Sequence, residues 1–315
     1  MPATTGTDPA EAARRLRDGQ LVALPTETVY GLGANALDPA AVARVFAAKN
    51  RPSFDPLILH QSSADRILAY ARELPPGARE LAEACWPGPL TLVVERAAVV
   101  PDAVTAGLDT VALRVPAHPL TLEVLEHVDF PVAAPSANPF GYVSPVTAAH
   151  VAAQLGERID YILDGGACRV GLESTIVGFP GGEATVLRKG GTPVERVEEI
   201  LGRKVTVRTH GSSRPAAPGM LLNHYSPGLP LRLVERIETE GRTDHAVVRF
   251  GELPRNEYEY SLSSAGDLEE AARNLFSVLR QLADARYPEA TVALVPERGL
   301  GRAINDRLRR AARIG

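Results

Sequence analysis

Residues 25–60 read PTETVYGLGANALDPAAVARVFAAKNRPSFDPLILH, and the rest of the chain is organised around them. The apolar run LVAL at 21–24 leads into Pro25, then Thr26, Glu27, Thr28 and Tyr30, with Gly31 and Gly33 two apart. A helix is expected next. Asp38 is a suitable N-cap, and Pro39 falls at the first helical position, where a missing N–H costs nothing. Val42, Val45 and Phe46 form an apolar stripe at helical spacing, and the next position on that stripe is Lys49. Burying an unpaired charge is expensive. Lys49 therefore either snorkels at the C-terminal end of the helix dipole or serves a site. Arg51, Pro52 and the strand-like PLILH ending in His60 favour a site. One strand–turn–helix–strand unit gathers hydroxyls, two cations and a histidine, a set suited to an anion and a small polar substrate.

Composition narrows the class. A chain of 315 residues is long enough for two domains, and 45% hydrophobic residues supply a sizeable core. Only 5% of residues are aromatic, so stacking platforms for single-stranded nucleic acid are sparse. A net charge of −4 argues against sequence-independent nucleic-acid binding by the whole surface, though not against a local basic patch. Cys85 and Cys168 lie far apart without metal-ligand spacing and read as reduced thiols. No apolar run approaches a membrane span, and MPATTGTDPAEAARRL carries no apolar signal core. A soluble, cytoplasmic protein is expected.

Over the first 200 residues helical and strand-like segments alternate, an α/β pattern. The strands YILDGG, STIVGFP and ATVLRKG follow one another without a helix, which predicts a mixed rather than purely parallel sheet. SSADRILAYARE is expected to be a helix. Residues 203–230 break the pattern: they are rich in Pro and Gly and suit a linker or a working loop. Beyond them, 231–315 read as a second, smaller α/β domain with the helix DLEEAARNLFSVLRQLADA and the closing basic helix GRAINDRLRRAARI.

Four further stretches carry chemistry. In DTVALRVP, alternation puts Thr110, Ala112 and Arg114 on one face, and Arg114 serves either a carboxylate partner or a ligand. APSANPFGYVSP reads as a strand end turning into small residues where a ligand can approach the backbone, or as an ordinary Asx or Ser turn. GLESTIVGF places Glu173, Ser174 and Thr175 before a buried strand. VLRKGG ends a strand with Arg188 before Gly190 and Gly191, where backbone N–H groups and a guanidinium can hold phosphate oxygens. No dinucleotide fingerprint, GxxxxGK[ST] loop, HExxH, CxxC or GxSxG is present. The set instead fits chemistry by positioning, anion binding and exclusion of water.

Taken together, PTETVYGLGANAL, KNRPSFDPLILH, WPGPLTLVV, TVALRVP, APSAN with the serine after it, ESTIV and the VLRKG turn resemble the YrdC-like family in its long, two-domain form, the threonylcarbamoyl-adenylate synthases. These motifs span about residues 20–190. HYSP and GLGRAINDRLRRAA resemble the long form's linker and extra domain. The resemblance implies a twisted open mixed sheet for residues 1–202, a linker and active-site lid at 203–230, and a small Rossmann-like domain at 231–315. It also implies a reaction: L-threonine, bicarbonate and ATP, with Mg²⁺, give threonylcarbamoyl-adenylate and pyrophosphate. A separate transferase then uses the adenylate on the adenosine beside the anticodon of ANN-decoding tRNAs.

By motif position, the resemblance assigns Thr28, His60, Arg114, Ala134 and Ser174 to threonine, with Arg114 gripping the carboxylate bidentately. It assigns Lys49, Arg51, Asp55, Thr110, Ser136, Ser144, Arg188 and Tyr225 to the nucleotide. Lys49 and Arg51 would neutralise phosphate charge during reaction, and Tyr225 would fold over from the linker. Asp55 stands where relatives often have asparagine; beside polyphosphate it would either approach the metal or bind less directly. Two rival readings are an RNA-binding module with weak tRNA contact as its trace, and a carbamoyl-phosphate-dependent transfer protein. The second belongs to larger proteins with zinc-finger regions that two cysteines cannot build.

Overall fold

A computed structural model describes residues 2–208 and 224–313. The chain begins with β1 (Thr4–Gly6), α1 (Pro9–Arg17), β2 (Val22–Leu24), β3 (Gly31–Asn35), α2 (Pro39–Lys49) and β4 (Ile58–His60). It continues with α3 (Ala64–Leu68), α4 (Ala78–Cys85), β5 (Leu90–Glu95), α5 (Asp102–Thr105), β6 (Thr110–Arg114), α6 (Pro119–Glu126) and β7 (Val132–Ala133). Then come α7 (Ala148–Leu155), β8 (Tyr161–Leu163), β9 (Thr175–Gly178), β10 (Thr185–Arg188), α8 (Val194–Leu201) and β11 (Thr206–Val207). The last elements are β12 (Leu231–Val234), β13 (Ala246–Arg249), β14 (Glu259–Ser261), α9 (Leu268–Asp284), β15 (Ala290–Ala293) and α10 (Gly301–Ala311).

The first eleven strands form one twisted sheet in the order β1-β8-β2-β3-β7-β4-β6-β5-β9-β10-β11. It is mixed, as expected: β4 and β6 are parallel, whereas β5/β6 and β9/β10 are antiparallel. The last four strands form a second, parallel sheet, β12-β15-β13-β14, with the Rossmann-like character implied by the sequence. Most of the stretch expected to form a lid, residues 209–223, lies outside the described residues.

Local chemistry sets the elements that carry the site. At α2, the Asp38 carboxylate accepts from the Ala40 N–H at 2.9 Å, and Asn50 closes the helix in the left-handed region at φ +52°. That reversal aims Arg51 back along the helix end. On β6, Val111 and Leu113 join the apolar layer with Val42 and Leu81. Ala112 joins Ile58, Val93, Ile176 and Leu187 on the opposite face. Arg114 shares Ala112's face, and register sets it opposite His60 of β4. The expected helix over SSADRILAYARE is only the five residues of α3. The chain then leaves the helix to donate from Arg72 N–H to the Glu95 carbonyl, ahead of Pro75 and Pro76. β1 and β11 were not expected from sequence, because these short edge strands are largely exposed and carry no apolar alternation.

One apolar cluster runs from the first sheet into the second, through Val143, Val146, Leu172, Tyr225, Leu229, Phe276 and Leu279. Polar contacts fix the two units at several points. Arg280 of α9 donates to the Val143 carbonyl and to Gln154 (3.0 Å), and Arg273 to the Arg169 carbonyl (3.2 Å). Glu195 of α8 accepts from the Gly299 N–H and pairs with Arg302, each at 3.3 Å, at the start of α10.

Candidate active site

A cavity opens beside the central strands. Nine of the residues singled out in the sequence line it: Thr28, Arg51, His60, Arg114, Ala134, Ser136, Ser174, Arg188 and Tyr225. They come from separate strand ends and turns spread over about two hundred residues, and only the sheet order brings them to one wall.

At one end stands Arg114, buried and ion-paired through Nη2 to Glu27 Oε1 at 2.7 Å. The same Nη2 donates to Thr28 Oγ1 at 2.9 Å, and Nε donates to the Gly88 carbonyl at 3.2 Å. Glu27 is held in turn by the Ala117 N–H at 2.9 Å. Of the two sequence readings of Arg114, the carboxylate partner is present, and the residue also lines the cavity. Its Nε and Nη2 are committed to the protein, and Nη1 has no partner among the described residues. His60 is buried, and its Nδ1 lies 3.1 Å from the Ile58 carbonyl, which can only accept. The Val132 carbonyl also bonds the ring, so a ring N–H faces backbone acceptors. Burial, aided by the Arg114 charge, pushes the His60 pKa down to about 3, so the ring is neutral at ordinary pH. Thr26 and Thr28 share a hydroxyl–hydroxyl bond of 2.8 Å that fixes Thr28.

The other end is cationic. Arg188 closes β10 and donates from Nε to the Ser174 carbonyl and from Nη2 to the Ser174 hydroxyl, both at 3.0 Å. The turn that follows packs tightly on Glu173–Ser174: a Cβ at Gly190 would sit 2.2 Å from the Glu173 carbonyl, so only glycine fits. The Gly191 and Thr192 N–H groups are committed to the Glu173 carbonyl and the Thr175 hydroxyl. Of the groups expected to face phosphate at this turn, these two N–H groups are taken by the protein, and Arg188 lines the cavity. Arg51 donates to the carbonyls of Asp55 (3.1 Å) and Pro56 (2.9 Å). Glu173 also lines the cavity. Burial works against its carboxylate, yet Arg307, Arg188 and the Ser144 hydroxyl at 2.5 Å hold its pKa below the usual range.

Four assigned residues stand elsewhere. Lys49 neither snorkels nor lines the cavity. It is buried and donates to the carbonyls of Ser136 and Asn138, fixing the loop that carries Ser136, while burial drives its pKa well down. Asp55 is buried behind Arg51, with Oδ2 at 2.9 Å from Nη2. Neither carboxylate oxygen receives an aligned hydrogen bond among the described residues, and burial raises its pKa. It is a counter-charge to Arg51, which replaces direct contact with nucleotide as its observed role. Ser144 is buried and donates to Glu173 rather than lining the cavity. Thr110 lies four residues before Arg114, about 13 Å along an extended strand, and lines a separate depression with Glu95, Val93 and Phe179.

Tyr225 covers the cavity from the segment before β12. It adopts φ +71°, a left-handed conformation that strains a bulky residue by about 1 kcal/mol or more. Contacts hold it there. Its ring stacks on Phe276 at 5.6 Å, and the guanidiniums of Arg307 and Arg310 lie 5.0 and 4.7 Å from its centroid. The neighbouring Ser226 N–H donates to the Gly141 carbonyl at 3.0 Å. Sequence reading named Glu27 and Glu173 without giving them a role, and it missed Arg307 and Arg310. For the last two the signal was weak, because arginines on a basic terminal helix ordinarily face solvent, whereas these are buried.

Comparison with known proteins agrees with this geometry. The Sua5/YciO/YrdC family model, described as telomere recombination, matches residues 14–190. A model described as the C-terminal domain of threonylcarbamoyl-AMP synthase matches residues 192–313. The threonylcarbamoyl-AMP synthase of Pyrococcus abyssi is 42% identical over 96% of this chain and 93% of its own length. That of Bacillus subtilis is 37% identical over 96% and 92%. The crystal structure of P. abyssi Sua5 complexed with L-threonine superposes with a TM-score of 0.91 at 37% identity, covering 99% of this chain and 98% of that one. E. coli YciO, at 20% identity and a TM-score of 0.53 over 60% of this chain, shares the fold of the first sheet. Matched along nearly its whole length in both sheets, this chain belongs to the threonylcarbamoyl-AMP synthase family.

Proposed function

We propose that the protein makes threonylcarbamoyl-AMP from L-threonine, bicarbonate and ATP, releasing pyrophosphate. The observation that carries this reading is one cavity with two unlike ends. Arg114, Thr28 and neutral His60 form a small polar pocket, and Arg51 and Arg188 line the cavity beyond it. The threonine amine adds to bicarbonate and water leaves, giving N-carboxy-threonine. Its new carboxylate oxygen attacks the α-phosphorus of ATP, forming the mixed anhydride and expelling pyrophosphate. Arg114 Nη1 takes the threonine carboxylate, and His60, Ala134 and Ser174 close that pocket. Arg51, Ser136, Arg188 and Tyr225 hold the nucleotide, and Lys49, Asp55 and Ser144 position them from behind. Catalysis is then positioning and charge stabilisation in a covered site.

Mg²⁺ enters with ATP as part of the substrate, held by phosphate oxygens and water; no group of three or more acidic, His or Cys side chains gathers among the described residues. Residues 203–230 act as a lid between a catalytic region at 1–202 and the C-terminal region, keeping water from a hydrolysable intermediate. The adenylate passes to a separate transferase that modifies adenosine beside the anticodon of ANN-decoding tRNAs, with at most weak tRNA contact here, in the cytoplasm. No described helix is long and apolar enough to cross a membrane.

The test is pyrophosphate release from MgATP with threonine and bicarbonate omitted in turn. Release that needs both supports the reading. Release indifferent to threonine, or none, overturns it and returns attention to RNA binding or carbamoyl-phosphate chemistry.

A further inference from the structure

Glu173 is an awkward residue to find at a site for anions. It is a buried carboxylate in the wall of the same cavity that Arg51 and Arg188 line, next to Ser174. Left uncompensated, it would repel both a polyphosphate and a threonine carboxylate. Its Oε1 accepts from the Ser144 hydroxyl, which carries no charge, and Arg188 is the cation of the first sheet that acts on it. The charge facing Oε2 comes from the other sheet: Arg307 of α10 donates from Nε at 3.0 Å, across 134 residues of sequence. Arg307 is fully buried. Its Nη1 is held by Asp306 at 2.9 Å, its Nη2 has no acceptor among the described residues, and its planar face lies against Tyr225. A guanidinium buried with one donor unpaired is not explained by packing alone, since an apolar side chain of similar volume fills such a place at lower cost.

We propose that Arg307 is a positioning residue of the nucleotide site, which it serves by neutralising Glu173, so that the C-terminal unit supplies part of the cavity's affinity for ATP. This rests on the synthase reading above and extends it to a residue 134 positions beyond Glu173. Glu173 in turn keeps Ser144 in place, and its neighbour Ser174 accepts from Nε and Nη2 of Arg188, so one charge on α10 steadies two sides of the cavity. Glu195 holds the start of α10 to α8, which fixes the helix that carries Arg307 at its other end.

The test is a mutant cycle read by calorimetric binding of a non-hydrolysable ATP analogue with Mg²⁺. Arg307→Met keeps the length of the stem against Tyr225 and should weaken binding by about tenfold or more, because a buried carboxylate in an anion site loses its ion-pair partner and draws on Arg188 alone. Arg307→Met with Glu173→Gln should recover binding to within about threefold of the native protein, since the repelling charge is gone; Glu173→Gln alone closes the cycle. A role in packing only predicts no recovery in the double variant, and that result overturns the proposal, as does unchanged binding in Arg307→Met. Should Arg307→Met not fold, Arg307→Gln, which also removes the charge, and its pair with Glu173→Gln are read by the same criterion. The synthase reading fails separately: it predicts threonine- and bicarbonate-dependent pyrophosphate release by the native protein, whatever the cycle shows.

Discussion

The two ends of the cavity are built from different material. The Arg114 end is a product of the first sheet: His60 and Arg114 sit on the paired strands β4 and β6, and Glu27 and Thr28, in the turn between β2 and β3, accept from Arg114 at 2.7 and 2.9 Å. The Tyr225 end is assembled from three places, the Glu173–Arg188 turn, the segment before β12, and α9 and α10 of the second sheet. The first end is preorganised by secondary structure, and its buried ion pair cannot rearrange cheaply. The second depends on a docked helix and a strained tyrosine, and such elements open more readily. On the proposed function, a small amino acid would meet a rigid pocket, and the larger nucleotide the part of the wall that has to admit it.

The sharpest way to break this contrast is Arg114→Ala. It removes the carboxylate partner and strands Glu27 in the interior, a loss of about 3–5 kcal/mol. Threonine-dependent kcat/KM should fall at least about a hundredfold, with lower stability in urea. A change below tenfold would mean that the rigid end is not the amino-acid pocket. Tyr225→Ala comes next. Losing the ring between Arg307, Arg310 and Phe276 should raise KM for ATP about tenfold while KM for threonine moves less, and Tyr225→Phe, which keeps every ring contact, should stay within about twofold. Equal effects on both substrates would erase the distinction between the ends.

A smaller effect concerns acid. The native His60 pKa is held at about 3, against about 6.5 when unfolded, so below pH 6.5 the unfolded chain takes a proton that the native protein refuses. The stability associated with neutral His60 is full above pH 6.5 and is lost as pH falls toward 3. His118, His150 and His224 are shifted the same way by burial, so His60→Gln should flatten only part of the decline in urea midpoint between pH 7.5 and 4.5. An unchanged slope would place His60 in water. Thr110→Ala should do least. It lines a different depression, and steady-state constants for both substrates should remain within about twofold.

Legibility followed the same division. Asp38, Pro39 and the α2 stripe announced a helix with its cap, and period-two alternation placed Arg114 on the open face of β6; both depend on neighbours in sequence. Alternation also put Thr110 on that face, and it could not tell that the cavity ends before reaching it, because distance along a strand matters as much as side. Lys49 was rightly seen as unusual in an apolar stripe, but its partners are carbonyls 87 and 89 residues away. No local pattern distinguishes a cation that meets a ligand from one that meets a loop.

The sequence by itself determined the α/β class, the mixed sheet, the family and most of the residues around the cavity, because caps, periodicity and short motifs are properties of adjacent residues. Only the tertiary structure decided that Arg114 commits Nε and Nη2 to the protein, that Asp55 and Ser144 stand behind the wall, and that Arg307 crosses from the second sheet to Glu173. Those outcomes depend on which donors and acceptors are left over after every buried polar group has found its partner, and that remainder is fixed by contacts between residues far apart in the chain.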